Sequence, residues 1–176
     1  MAAPESALVV LVPEAEALVK PFRDAHDPSA ALGVPAHVTL IYPFKPPDEI
    51  LPPVFDGLRR CFSAFPAFDY TLAAMRRFPQ VLYLAPKPAE PFRRLTEAIW
   101  QRHPETPPYG GRFPDIVPHL SLADRLNDAS LDRIEAEFKD AARGRMPIRA
   151  RAKEVVLLEN RTGRWQQLAA LPLGSG

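Results

Sequence analysis

The tetrad His37-Val38-Thr39-Leu40 returns nearly unchanged as His119-Leu120-Ser121-Leu122, 82 residues further along the chain. Each copy reads histidine, apolar, hydroxyl, apolar. In an extended strand successive side chains point to opposite faces, so His37 and Thr39 share one side while Val38 and Leu40 share the other. The same alternation separates His119 and Ser121 from Leu120 and Leu122. A fold containing both segments must bury two aliphatic edges and present two imidazoles and two hydroxyls. That is the outline of a pocket with two acid/base groups and two hydrogen-bond donors.

The remaining chain predicts strands and helices around these two segments. Ser6 to Pro13 reads as a short strand, and Glu14 to His26 as a helix with Ala15, Leu18, Val19 and Phe22 on its apolar face. Ser29 to Pro35 is expected to be a loop and Ala36 to Phe44 the first motif strand. A second helix is expected over Asp48 to Phe65, with Asp48 as its cap and Ile50, Leu51, Val54, Phe55, Leu58, Cys61 and Phe62 inward. Ala67 to Phe78 and Val81 to Ala85 read as a hairpin turning at Pro79-Gln80. A third helix covers Pro91 to His103, with Phe92, Leu95, Ile99 and Trp100 inward. A Pro- and Gly-rich loop from Pro104 to Pro118 leads to the second motif. Ala129 to Ala142 is the fourth helix, with Ser130 as candidate cap and Glu135 and Lys139 spaced for an i,i+4 pair. Two last strands span Ile148 to Glu159 and Trp165 to Leu173. The order predicts a pseudo-symmetric α+β molecule: one domain over residues 1–176, in two lobes of about 6–88 and 89–174, with antiparallel strands lining a central groove and helices outside.

Composition narrows the class. A net charge of +1 gives no general pull towards nucleic acid or membrane, although residues from Arg143 onward carry seven cations against two anions. A single cysteine, Cys61, excludes an internal disulfide framework and a cysteine-rich zinc site. The apolar run Ala7–Val12 has no basic residue ahead of it and no small-residue cleavage site after it, so it reads as a strand rather than a signal peptide. No stretch approaches the roughly 20 apolar residues of a membrane helix. The expectation is a cytoplasmic protein without a membrane partner, and a monomer. The 22 prolines fall between periodic segments and punctuate them.

The paired motif resembles the signature of the 2H phosphoesterase superfamily, which includes bacterial proteins described as 2'-5' RNA ligases and cyclic nucleotide phosphodiesterases. The surroundings are similar as well: Gly33-Val34-Pro35-Ala36 before the first motif, Ile41-Tyr42-Pro43-Phe44 after it, Phe113-Pro114-Asp115-Ile116-Val117-Pro118 before the second, and Gly163-Arg164-Trp165 to Leu173-Gly174 at the close. The resemblance spans about residues 6 to 174. Two such tetrads half a domain apart are far rarer by chance than one. Ser121 keeps the hydroxyl where threonine is also common. Ile41-Tyr42-Pro43-Phe44 replaces a Phe-x-Gly ending associated with the RNA ligase branch, so the resemblance implies phosphodiester hydrolysis rather than ligation.

The family arrangement implies catalytic roles for His37, Thr39, His119 and Ser121. Opening a 2',3'-cyclic phosphate needs a base for water and an acid for the departing ribose oxygen, which two histidines supply without metal or other cofactor. The hydroxyls would hold the non-bridging oxygens. The partner is then an RNA end or nucleotide with a cyclic or 2'-5' phosphodiester. The alternatives are a non-catalytic RNA-end or nucleotide-binding module, or an RNA ligase. A bland reading of each histidine is a structural one, bonded to a backbone carbonyl at a strand end. His26 and His103 fit the helix ends where they lie. No tight His-x-His or His-x-x-x-His spacing suggests a metal site. Tyr42, Arg112 and Phe113 are the leading substrate-binding candidates. Phe44, Tyr83 and Trp165 are further candidates for stacking, and Arg149, Arg151 and Lys153 form a strip that either meets an RNA backbone or is simply a solvated strand face.

Overall fold

The computed structural model describes residues 2–175 and contains two four-stranded antiparallel sheets. The chain runs β1 (Ser6–Leu11), α1 (Pro13–His26), α2 (Pro28–Ala31), β2 (His37–Ile41), α3 (Pro52–Ser63), β3 (Phe68–Phe78), β4 (Val81–Lys87), α4 (Glu90–Arg102), β5 (Leu120–Ala123), α5 (Asp128–Ala141), β6 (Ile148–Ala152), β7 (Glu154–Glu159) and β8 (Gln166–Pro172). Single 3-10 turns occur at Pro47–Glu49 and Pro108–Gly111. The first sheet has the order β2-β1-β7-β8 and the second β5-β4-β3-β6. This is the mixed α+β architecture with a groove between antiparallel sheets that the element order predicts.

The lobes are not consecutive halves of the chain. β3 and β4 belong to the second sheet although they precede residue 88, and β7 and β8 return to the first sheet. The repeat is instead β1-α1-β2-α3 matched by β4-α4-β5-α5. In each copy a central strand leads through a helix to a motif strand at the sheet edge. The first helix of each copy packs on the other copy's motif strand, α1 against β5 and α4 against β2, and α1 also lies against β6 of the second sheet. One continuous core results, running from Leu8 and Leu40 through Phe62, Phe92 and Leu122 to Phe138 and Leu171. Burial of Leu40 and Leu122 stabilises the motif strands by about 2 kcal/mol each.

Several boundaries differ from the sequence expectation. Asp48 does not cap α3; it sits in a separate 3-10 turn, and the cap position is Leu51. A residue before proline avoids helical backbone, so Pro52 and Pro53 fix the helix start, where proline is tolerated. Leu51 is therefore 58% exposed, and Trp100, expected inward, is 40% exposed on the outer side of α4. Asn127, not Ser130, caps α5: its side chain accepts from the Ser130 amide. The first motif strand ends at Ile41, before the cis Tyr42–Pro43 peptide. Residues 29–31, expected as loop, complete the short α2, whose Asp27 cap accepts from the Ser29 amide. Ile148 to Glu159 is two strands in two sheets, separated at Lys153. The hairpin of β3 and β4 forms with Gln80 in left-handed backbone at φ 67°, and Glu135 pairs with Lys139 at 2.6 Å. Among the described residues no helix is long and apolar enough to cross a membrane.

Candidate active site

Directly opposed residues of paired antiparallel strands project to the same face. Leu11 opposes His37 and Val9 opposes Thr39 across β1 and β2, while Val38 and Leu40 enter the core from the other side. On the second sheet Arg76 opposes Tyr83 and Tyr83 opposes Ser121, so these three form a row across β3, β4 and β5. Both motif strands are edge strands, and their Cα traces come within 8 Å of each other without pairing. Their polar faces thus border one groove. His119 immediately precedes β5.

Each histidine is held in the same way. His37 Nδ1 lies 2.8 Å from the Pro35 carbonyl oxygen, and His119 Nδ1 lies 2.7 Å from that of Val117, in both cases two residues back. A carbonyl accepts only, so Nδ1 carries the proton and donates it. In the neutral imidazole Nε2 is then the bare acceptor. The structural bond anticipated for a non-functional histidine is present in both, and it fixes the tautomer a proton-transfer group requires.

The electrostatics of the two rings differ. Burial of the His37 ring, followed by the nearby Arg23 guanidinium, lowers its pKa to about 4; Asp27 and the Pro35 bond oppose that shift. His119 also weakens protonation of His37, which places the two imidazoles within each other's field. His119 is lowered by burial, with its carbonyl bond and Asp124 opposing. Arg23 and Asp27 are themselves a buried pair at 3.1 Å, 2% and 4% exposed at their side chains. Arg23 also donates to the Val34 carbonyl at 2.9 Å and to Ser29 Oγ at 3.1 Å, so the pair organises the turn that ends at the Pro35 carbonyl.

Aromatic side chains frame the groove. Phe78 stacks on Tyr83 with centroids 4.4 Å apart, and both meet the His119 ring edge-on at 5.1 and 5.5 Å. Tyr109 lies between the two motifs: burial raises the pKa of its phenol and the nearby Thr39 hydroxyl opposes that shift, and its ring lies 6.2 Å from that of His119 at 26°. Its backbone N–H donates to the Tyr42 carbonyl at 2.7 Å.

His37, Thr39 and His119 are therefore brought together, and Ser121 shares their groove; both hydroxyl residues are partly exposed. Phe113 is 62% exposed and meets Tyr109 edge-on at 5.8 Å. Arg112 is exposed, and its Nε reaches the Tyr109 carbonyl at 3.3 Å. Tyr42 lies at the end of β2 with its ring against Trp165, 5.9 Å between centroids, and its hydroxyl donates to Glu5 at 2.8 Å. Burial and Glu5 push its pKa up to about 12. Phe44 is buried against His103, away from the groove. Arg149 and Arg151 stand on β6, three strands from β5, where Arg151 pairs with Asp69 at 2.9 Å. Arg149 is exposed there and Arg151 half-buried. Among the described residues no three His, Cys, Asp or Glu side chains form a group suited to a metal ion. Arg76 and Tyr109 were not singled out by the sequence; register with Ser121 identifies the first, and nothing local identifies the second.

Among curated protein sequences none matches this chain. The fold matches solved structures along almost its whole length. E. coli LigT complexed with 3'-AMP aligns with a TM-score of 0.60 at 15% identity, covering 97% of this chain and 98% of that one. LigT complexed with NADP+ gives 0.59 at 16%, covering 99% and 100%. TT0787 of Thermus thermophilus gives 0.63 at 18%, covering 97% and 98%. The sequence model of the 2'-5' RNA ligase superfamily matches residues 11–164, an interval containing both tetrads and every strand that carries them. With most of its length matched to that model, this chain belongs to the 2'-5' RNA ligase superfamily, the 2H phosphoesterases.

Proposed function

We propose that the protein is a two-histidine phosphodiesterase that opens 2',3'-cyclic phosphates or cleaves 2'-5' linkages of RNA ends or nucleotides without a metal. The observation that carries this reading is the matched pair of imidazoles, each with Nδ1 engaged by a carbonyl two residues back, which leaves Nε2 as the proton acceptor of the neutral ring. The neutral ring takes a proton from water as its oxygen bonds to phosphorus. The protonated ring gives its proton to the ribose oxygen as that P–O bond breaks. Hydroxyls of Thr39 and Ser121 donate to the non-bridging oxygens, where charge increases in the transition state. The 3'-AMP, ATP and NADP+ complexes of LigT, a structural neighbour, favour a nucleotide as the substrate class. Phe113, exposed beside the groove, offers a base-stacking surface, Arg112 a phosphate contact and Tyr42 a further aromatic edge.

The test is turnover of 2',3'-cyclic mononucleotides in excess chelator. We expect turnover by the native protein, and loss of about 10²- to 10⁴-fold in kcat for His37→Ala and for His119→Ala. Tight nucleotide binding without turnover assigns the groove to a binding module instead. Joining of RNA ends without hydrolysis assigns it to a ligase.

A further inference from the structure

The face of the second sheet that carries Ser121 continues well beyond the histidines. Alternation along β4 places Tyr83, Ala85 and Lys87 on that face, and cross-strand pairing adds Arg76 opposite Tyr83 and Ala74 opposite Ala85. Lys87 is opposite Thr71, and Thr71 is in turn opposite Arg149 on the edge strand β6. The intervening residues Leu82, Leu84, Leu72 and Ile148 enter the core, and α1 and α5 pack on that other side. Arg76, Lys87 and Arg149 are exposed, and among the described residues none of the three forms an ion pair. At the far end Thr71, Lys87, Arg149 and Arg151 line a concavity of about 540 Å³ together with Glu14 and Asp69. Its two carboxylates are already engaged: Asp69 pairs with Arg151 at 2.9 Å, and Glu14 accepts from the Arg151 amide at 3.3 Å.

The matching face of the first sheet is built differently. Val9, opposite Thr39 on one side and Val156 on the other, is buried in a small apolar cluster with Leu158 and Val34, against which Tyr42 and Trp165 pack. Beyond Thr39 that face is apolar and filled, whereas beyond Ser121 the second sheet is open and cationic, with only the methyl groups of Ala74 and Ala85 between its cations. From Tyr83 to Lys87 runs about 13 Å of strand, and from β5 to β6 about 14 Å of strand spacings, so Arg149 stands roughly 20 Å from Ser121. Cations set at increasing distance from a reacting phosphate suit a ligand that brings further phosphates with it. We propose that this face of β4, β3 and β6 is a track for single-stranded RNA, in which Arg76, Lys87 and Arg149 meet successive phosphates as the chain runs in its 5' direction from a cyclic phosphate held between the histidines. The track is long enough for roughly four nucleotides. This inference rests on the phosphodiesterase reading and deepens it: the substrate is the end of an oligonucleotide rather than a free nucleotide.

The test compares an RNA tetranucleotide ending in a 2',3'-cyclic phosphate with a 2',3'-cyclic mononucleotide, both in excess chelator at about 50 mM salt. We expect kcat/KM to be about tenfold or more higher for the tetranucleotide, with the gain in KM, because remote phosphates are bound alike before and in the transition state. Lys87→Gln/Arg149→Gln should remove most of that advantage and leave kcat/KM for the mononucleotide within about twofold. Arg59→Gln/Arg60→Gln removes the same charge from α3, which lies against β8 of the first sheet, and should keep the advantage. Equal kcat/KM for the two substrates would overturn the proposal, as would a loss shared equally by both substrates or by both double variants. Salt provides a second readout. The slope of log kcat/KM for the tetranucleotide against log salt should flatten by about 1.4 in Lys87→Gln/Arg149→Gln, two phosphate contacts at about 0.7 each. If no cyclic phosphate is turned over, the phosphodiesterase reading fails, and binding of a tetranucleotide 3'-phosphate then decides the track by itself: the same flattening of its salt dependence supports the track, and an unchanged slope overturns it.

Discussion

His37 and His119 share a hydrogen bond but not an electrostatic setting, and their pH response follows from that. An unfolded histidine titrates near 6.5, whereas folded His37 titrates at about 4. Between those values the unfolded chain binds a proton that the native ring refuses. Stability is therefore full above about 6.5 and declines as the pH falls towards 4, by on the order of 1–2 kcal/mol for this partly exposed ring. Urea midpoints measured from pH 7.5 to 4 check the sign. The proposed catalysis runs the other way, because it requires one imidazole to carry a proton. With both rings depressed, kcat/KM should peak below 6.5 and fall as the pH rises. Bound phosphate favours the imidazolium, so the kcat profile should lie to the alkaline side of the kcat/KM profile; coincident profiles would contradict this. Arg23 and Asp27 give a third expectation at this scale. Arg23→Met leaves a buried carboxylate unpaired and should cost about 3–5 kcal/mol, read as a lowered denaturant midpoint. The histidines and hydroxyls were legible because a strand enforces alternation within four residues. Tyr109 was not, because a Pro- and Gly-rich loop has no period, and its contacts with the Tyr42 carbonyl and the His119 ring are fixed by the meeting of two sheets rather than by any neighbour in sequence.

At the level of elements, the four long helices and the hairpin were readable from periodicity, and the short α2 and the division of Ile148 to Glu159 were not. Yet a signal is there. Ile148 to Ala152 alternates buried with exposed or half-buried residues, while Val155 to Glu159 is buried without interruption. Alternation suits a strand with one wet face, and a continuous apolar run suits one covered on both. The change of pattern at Lys153 marks the passage from the second sheet to the first. The last residues are then tied to α3 and the stretch beyond it: Gly174 donates to the Phe65 carbonyl at 2.7 Å, and its own carbonyl accepts from Ala67 at 3.0 Å. A Cβ at Gly174 would overlap the Ser63 carbonyl oxygen. Gly174→Ala should therefore destabilise by about 1–3 kcal/mol, with little effect on kcat because the groove lies at the opposite edge of the first sheet. A thermal melt and an activity assay on the same sample separate the two effects.

For the whole molecule, the crossing of helices between the copies and the return of β7 and β8 to the first sheet mean that neither half of the chain can bury its core alone. Residues 6–88 contain β3 and β4 without β5 or β6, and β1 and β2 without β7 or β8. A fragment of that span should be unfolded, and the full chain should melt in one transition seen alike by far-UV circular dichroism and by the fluorescence of Trp100 and Trp165. Separate transitions would show that the sheets are independent. The edge placement of the motif strands carries one more consequence. An open strand edge is a template on which another chain can add, and proteins usually defend it with charge, proline or a covering element. Here the outer edges of β2 and β5 are turned towards each other, and the Leu40 carbonyl on β2 is met by the Thr96 hydroxyl of α4 at 3.2 Å. Addition of another strand at either edge is thus blocked by the same apposition that brings the two motif strands together, so the candidate site and the protection of the edges are one feature of the fold.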